Sequence, residues 1–145
     1  MKLIVRPATA RLIDEMTHWQ YDSPYELYSG DGTPPNNPER YLDVRTEDGE
    51  TIGFYYFERR GDAVFFGLGL RPDLTGRGLG LEFVTRGLRF ARRRFGTARI
   101  VLDVAAFNNR ALKVYERAGF RRVGSHRRSV GLSGDVEFVD MELMR

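Results

Sequence analysis

Apolar and polar positions change period along this chain, and each change marks an element. Lys2 to Arg6 alternates around Leu3 and Val5, which predicts a short strand. Pro7 ends it, and Thr9 is placed to cap a helix over Ala10 to Trp19. Residues 20–40 lose all period and are rich in Tyr, Asp, Gly, Pro and Asn, closing on Pro34-Pro35-Asn36-Asn37-Pro38. They predict a long loop with one helical turn around Tyr25 to Tyr28. Loops of that length within a domain are usually functional or disordered. Tyr41 to Thr46 and Thr51 to Arg59 read as strands joined at Asp48-Gly49, a hairpin signal. After Arg60-Gly61-Asp62, the run Ala63 to Leu70 is almost wholly apolar, as in a central strand buried on both faces.

Helical spacing returns after a glycine-rich turn. Leu81, Val84, Leu88, Ala91 and Phe95 share one face of a helix from about Gly78 to Phe95. Arg99 to Val104 predicts a strand, and Asn108 to Ala118 a helix closed by Gly119. Phe120 to Ser129 and Val136 to Met144 make a final hairpin. The order predicts an α/β (α+β) layer structure with a mixed, mostly antiparallel sheet flanked by helices. The strand–helix–strand unit at 63–104 requires parallel strands if they are neighbours.

Composition narrows the functions open to such a fold. The 145 residues read as one domain, 1–145, with an ordinary globular balance of 41% hydrophobic and 30% charged residues. With no cysteine, a disulfide framework, a thiolate zinc site and a cysteine nucleophile are excluded. Two histidines, His18 and His126, are too few for a histidine-rich metal centre, so no metal is expected. No apolar run approaches the ~20 residues of a membrane span. The opening MKLIVRPAT is too short and too soon interrupted for a signal peptide. A cytoplasmic protein with no membrane partner is expected. Residues 1–60 carry a net charge of −4 and residues 61–145 a net +7. The basic half suits an anionic partner and the acidic half a cation, unless the two are simply unevenly decorated surfaces.

Leu68 to Gly80 is the most informative segment. A buried strand runs into a turn holding Gly76, Gly78 and Gly80, and the turn opens directly into a helix. Glycine lets a ligand approach the backbone amides, and the first helical turn offers unpaired N–H groups and partial positive charge. Together they suit a pyrophosphate, with Arg71 and Arg77 adding charge. The dinucleotide pattern G-x-G-x-x-G lacks its third glycine here, and no Gly-Lys-Ser/Thr follows as in a Walker loop.

The segment resembles motif A of the GNAT superfamily, the acetyl-CoA-dependent N-acyltransferases. That motif is a buried strand, a Pro two residues beyond it, then Gln/Arg-x-x-Gly-x-Gly/Ala at a helix start. Here Leu70-x-Pro72 precedes Thr75-Gly76-Arg77-Gly78-Leu79-Gly80. Thr75 departs from the usual Gln or Arg, a small change where backbone amides form most of the cradle. Leu102-Asp103-Val104, Asn108, Ala111, Tyr115-Glu116 and Gly119-Phe120 likewise resemble the family's motif B. Val5-Arg6-Pro7-Ala8-Thr9 resembles a common GNAT opening.

The resemblance implies a GNAT fold in which the third central strand carries a bulge and splays from its neighbour. The pantetheine arm of acetyl-CoA would insert there like an extra strand. It implies a cofactor site at Leu68, Gly69 and Leu70 for the pantetheine and thioester. Thr75, Gly76, Arg77, Gly78, Leu79, Gly80 and Leu81 would hold the pyrophosphate. Asn108 and Ala111 would meet the cofactor arm, and Tyr115 would lie near the thioester sulfur. The implied reaction is direct attack of a primary amine, on a small molecule or a protein N-terminus, on the acetyl thioester. It needs a base, an oxyanion donor and an acid. Tyr115 is the acid candidate, or else an aromatic packed on the sheet. Some family members carry a basic Glu where this chain has Val64, which cannot act. Others carry one where this chain has Asp103, which could equally pair with an Arg. Glu26 and Asp22 follow as candidates, while His18 reads as a helix-surface residue.

The run from Trp19 to Tyr28 interleaves aromatic and acidic residues. It suits one wall of a site for a cationic amine, or else a flap packed on the first helix. The arginines at 86, 89, 92, 93 and 94 read as the solvated side of the second helix rather than a nucleic-acid face. A monomer or homodimer without a nucleic-acid partner is expected. The second reading of function is a GNAT-fold module that binds acyl-CoA without turnover, as Thr75, Val64 and the uncertain base would allow.

Overall fold

The computed structural model describes residues 2–144. A single seven-stranded sheet is formed by β1 (Ile4–Pro7), β2 (Tyr41–Arg45), β3 (Thr51–Arg60), β4 (Ala63–Leu70), β5 (Arg99–Ala105), β6 (Phe120–Ser129) and β7 (Asp135–Leu143). Its order is β1-β2-β3-β4-β5-β7-β6. Every pairing is antiparallel except β4 with β5. The helix between those two is α2 (Gly80–Phe95), while α1 (Ala10–Met16) follows β1 and α3 (Asn109–Ala118) follows β5. No helix of the described residues is long and apolar enough to cross a membrane.

Local chemistry sets the boundaries. The Thr9 hydroxyl accepts from the Leu12 amide at 3.1 Å and starts α1 as expected. The helix stops at Met16, three residues early. The carbonyls of Thr17 and Trp19 accept from the amides of Gly32 and Gly30, so the loop satisfies them instead of another helical turn. At the far end of α2, Arg92, Arg93 and Arg94 occupy the last turn, where cations meet the negative end of the helix.

The core lies between the sheet and α2. Phe83, Val84, Leu88 and Ala91 of the helix are buried with Tyr55, Phe57, Val64 and Phe66 of β3 and β4. Tyr55 is fully buried, and its hydroxyl donates to the Phe83 carbonyl at 2.5 Å, so the one polar atom it takes inside is satisfied. Burial raises the Tyr55 pKa above the tyrosine value of about 10. The folded value exceeds the unfolded one, so this contribution to stability is full below about pH 10 and lost as pH rises beyond it. Each pH unit in that range costs up to about 1.4 kcal/mol. Urea midpoints should therefore fall steeply between about pH 10 and 11.5, and less steeply in Tyr55→Phe. Parallel pH profiles of the two proteins would show that Tyr55 contributes nothing.

Candidate active site

Strands β4 and β5 pair only over Ala63–Phe65 against Arg99–Val101, and then diverge. On its other side β4 stays paired with β3 through Leu70, with unbroken register. The splay implied by the resemblance is therefore present. The bulge is not, since register shifts fall at Val44/Arg45 and Arg122/Gly124 instead. The divergence also corrects the expected double burial of β4. Ala63, Val64 and Phe66 are buried, but from Gly67 onward the strand is half-exposed because β5 no longer covers that edge.

Glycine makes the open half of β4 thin. Gly69 stands opposite Phe54 in the β3 register, and a Cβ on Gly69 would fall 2.5 Å from the Phe54 ring. Phe54 lies over the strand instead and continues into Tyr41 at 5.6 Å and Trp19 at 6.1 Å. This aromatic floor belongs to a cleft of about 560 Å³, which runs under the loop from Trp19 to Tyr28. A second recess of about 210 Å³ runs from β4 to the glycine turn. The two share Leu68, Gly69, Leu70, Thr75, Arg110 and Tyr115.

At the glycine turn, Gly76 and Gly78 have φ of 74° and 79°, which side-chain-bearing residues rarely adopt. The amides of Gly76 to Leu79 donate to no backbone carbonyl among the described residues. They lead into α2, whose first N–H groups lack intrahelical partners. Arg71 does not serve this turn. Its guanidinium is held by Asp73 at 2.6 Å, Glu50 at 2.8 Å and the Thr51 carbonyl at 2.8 Å. Arg77 is exposed at the tip. Arg110 reaches in from α3, with Nη1 3.2 Å from where a Gly76 Cβ would stand and its guanidinium over the Tyr25 ring at 4.5 Å. The sequence reading missed Arg110, although it sits inside the motif between Asn108 and Ala111.

The loop spans the two diverging strands. The Tyr21 hydroxyl donates to the Leu70 carbonyl at 2.5 Å, at the end of β4. The Tyr28 hydroxyl accepts from the Ala105 amide at 3.3 Å and from Asn108 Nδ2 at 3.2 Å, at the end of β5. Asn108 Oδ1 meanwhile caps α3 at the Ala111 amide. Both ends of the Asn108 amide thus make hydrogen bonds within the protein. Ala111 lines the recess.

Tyr115 projects from α3 where cleft and recess meet, packed edge-on against Phe120. Its hydroxyl makes no hydrogen bond among the described residues. Burial, with smaller contributions from Tyr28 and Asp103, raises its pKa and keeps the O–H protonated at neutral pH. Asp103 also lines the cleft. Its Oδ2 accepts from Arg128 Nη1 at 2.7 Å, and Oδ1 is left without a hydrogen bond among the described residues. Ion pairing and cleft exposure, posed as alternatives from sequence, occur together. Glu26 is not brought to this place. It is exposed and lines a separate depression with Leu27, Phe107 and Arg127.

The Acetyltransferase (GNAT) family model matches residues 9–120. The chain belongs to the GNAT acetyltransferase family. Among its relatives, the mycothiol acetyltransferase of Streptomyces coelicolor is 44% identical over 78 residues, covering 50% of this chain and 24% of that protein. That of Salinispora tropica is 36% identical over 84 residues, 54% of this chain and 27% of that protein. The chain thus spans about a quarter of the length of these curated relatives. A spermidine N-acetyltransferase from Vibrio cholerae, solved with CoA and spermine, superposes with a TM-score of 0.76 at 19% identity, over 97% of this chain and 94% of that one. The Escherichia coli ribosomal-protein-S18-alanine N-acetyltransferase gives 0.68 at 18%, over 98% and 93%. At such identities the superpositions establish the fold. In this GNAT chain the two sequence motifs lie on the two sides of the splay: the glycine turn follows β4, while Asp103 lies on β5 and Tyr115 on the helix that follows it.

Proposed function

We propose that the chain transfers an acetyl group from acetyl-CoA to a primary amine. The observation that carries this reading is the junction of two recesses at the open edge of β4. One holds unpaired amides suited to a pyrophosphate, and the other holds a carboxylate and a protonated tyrosine. Leu68 to Leu70 and Thr75 to Leu81 would line the cofactor side, with Arg110 as the cation beside the turn in place of Arg71. The amine enters from the cleft. An ammonium has no lone pair, so Asp103 Oδ1 takes its proton first. The neutral nitrogen attacks the thioester carbon, and a β4 amide at the open edge stabilises the oxyanion. The carbon–sulfur bond then breaks, the Tyr115 O–H protonates the departing thiolate, and the second proton, which the nitrogen sheds as it becomes an amide, restores the phenol.

The cleft also bears on the acceptor. Asp103 is the one carboxylate among its lining residues and is already paired with Arg128, while Arg110 adds a second cation. The net −4 of residues 1–60 suggested a cationic acceptor, but Asp22 and Glu26, the acids behind that expectation in the loop, lie outside this lining. The walls are aromatic: Trp19, Tyr25, Tyr28, Tyr41, Phe54 and Tyr56. They suit one amine on an apolar or aromatic body better than a polyamine.

Release of free CoA across a panel of aryl-alkylamines, amino acid amides, polyamines and peptide N-termini tests both statements. Turnover is expected with the first two groups. Acetyl-CoA that stabilises the fold without turnover on any amine would leave a binding module. With a good substrate, Asp103→Asn should lower kcat/KM about 10²-fold at neutral pH, the low end for a lost general base. It should also flatten the acidic limb of the pH profile. Glu26→Gln should change kcat/KM by less than about twofold, as exposed positions away from a site usually do. Reversed outcomes in the two variants would move the base to the loop.

A further inference from the structure

We infer that His126 and Asp140 form the outlet for the proton that Asp103 takes from the amine. This rests on the acetyl-transfer reading above. The β5–β7 register sets Asp103 directly opposite Asp140. Like charges in that position repel. His126, from β6, stands between them, with Nδ1 3.0 Å from Asp140 Oδ1 and Nε2 3.6 Å from Asp103 Oδ2. Its ring stacks on Phe138 with centroids 5.7 Å apart and planes 15° from parallel, which holds its orientation.

The hydrogen bonding selects a tautomer. An ionised carboxylate can only accept, so Asp140 calls for a proton on Nδ1. In the neutral ring Nε2 then carries the lone pair, and Nε2 is the nitrogen turned toward Asp103 and the cleft. Arg128 faces the same point from its own strand, with Nη1 2.7 Å from Asp103 Oδ2 and 3.5 Å from His126 Nε2. Tyr28 of the loop and Tyr115 of α3 are the other titratable groups near enough to feel the Asp103 charge. With the ring neutral, two carboxylates and one guanidinium leave one negative charge in excess. An imidazolium cancels it, so the cluster can accept one proton and become neutral. Exposure rises along the row, from 14% for the Asp103 side chain to 38% for both His126 and Asp140. The row therefore leads from cleft to solvent.

The transfer balances. The N–H bond of the ammonium breaks as Asp103 Oδ1 takes the proton, and nitrogen keeps the electron pair for attack. The Asp103 carboxyl turns about its Cβ–Cγ bond so that the protonated oxygen takes the place of Oδ2, 3.6 Å from His126 Nε2, and the proton passes there by a small side-chain shift or one intervening water. The imidazolium releases it to solvent, and Asp103 is ionised again for the next turnover.

His126→Gln keeps a polar side chain and removes the proton carrier. It should lower kcat/KM for the amine about 10²-fold at neutral pH, at the low end for acid–base groups, with the acetyl-CoA thermal shift unchanged. Added imidazole should restore part of the activity, because the outer end of the row is open. Asp140→Asn should lower the same parameter by a smaller factor, since it frees the ring's orientation. A loss that imidazole cannot restore, or one accompanied by loss of the acetyl-CoA shift, would make the cluster a strut between strands and overturn the inference. A wild-type pH profile in His126→Gln would overturn it too, as would abolition of wild-type activity by a chelator, which would put a metal ion in the cluster. A wild type that acetylates no amine defeats the acetyl-transfer reading itself. One that turns over while His126→Gln matches it defeats the outlet alone.

Discussion

Replacing Tyr115 with Phe should reduce kcat by roughly 10²–10⁴-fold while leaving acetyl-CoA affinity nearly unchanged. The substitution removes one oxygen and keeps the ring that packs on Phe120. The Tyr115 hydroxyl makes no hydrogen bond among the described residues, so its loss leaves no protein group unpaired, and the folded chain should be about as stable as before. Environment also favours the role. Burial and the nearby Tyr28 and Asp103 disfavour the phenolate, so the residue would offer the proposed reaction an O–H donor across neutral pH. Single-turnover rates on preformed acetyl-CoA complex would separate chemistry from binding. Turnover at the wild-type level would assign Tyr115 to packing alone.

Gly78→Glu should remove most of the thermal stabilisation by acetyl-CoA. No atom lies within 4 Å of a Cβ built on Gly78, so a side chain there has room and points into the approach to the turn. A carboxylate beside a bound pyrophosphate costs several kcal/mol, or about 10²–10³-fold in Kd. The backbone makes a second contribution, because φ of 79° costs a side-chain-bearing residue about 1–2 kcal/mol. Gly78→Ala carries that strain without the charge and serves as the control. The apo Tm should fall similarly in both variants, whereas the acetyl-CoA shift should survive in Ala and vanish in Glu. Equal shifts in the two would place the pyrophosphate elsewhere.

Several features of this chain could be read without coordinates because they depend on neighbours in sequence. Strand and helix periods reflect which face of each element meets the core, and they located the seven strands and three α-helices of the described residues to within about three residues. The cap at Thr9, the left-handed closure at Gly119 and the glycine turn before α2 are local devices, visible as residue types at fixed spacings. The motif spacing carried the family, and with it the splay of β4 and β5.

Decisions among residues far apart in sequence were hidden. Arg71 looked available to a phosphate until Glu50, 21 positions away, and Asp73 engaged it, and Arg110 took its place beside the turn. Asn108 spends its amide on α3 and on Tyr28, 80 positions distant. Glu26 and Tyr28 lie two residues apart, yet Tyr28 reaches the end of β5 and Glu26 points to another depression. The Asp103–His126–Asp140 row needed three strands in register before its members could meet. Sequence determines which groups a strand or turn presents. Which distant charge they pair with is an energetic competition among all groups of the folded chain, and only the tertiary structure decided it.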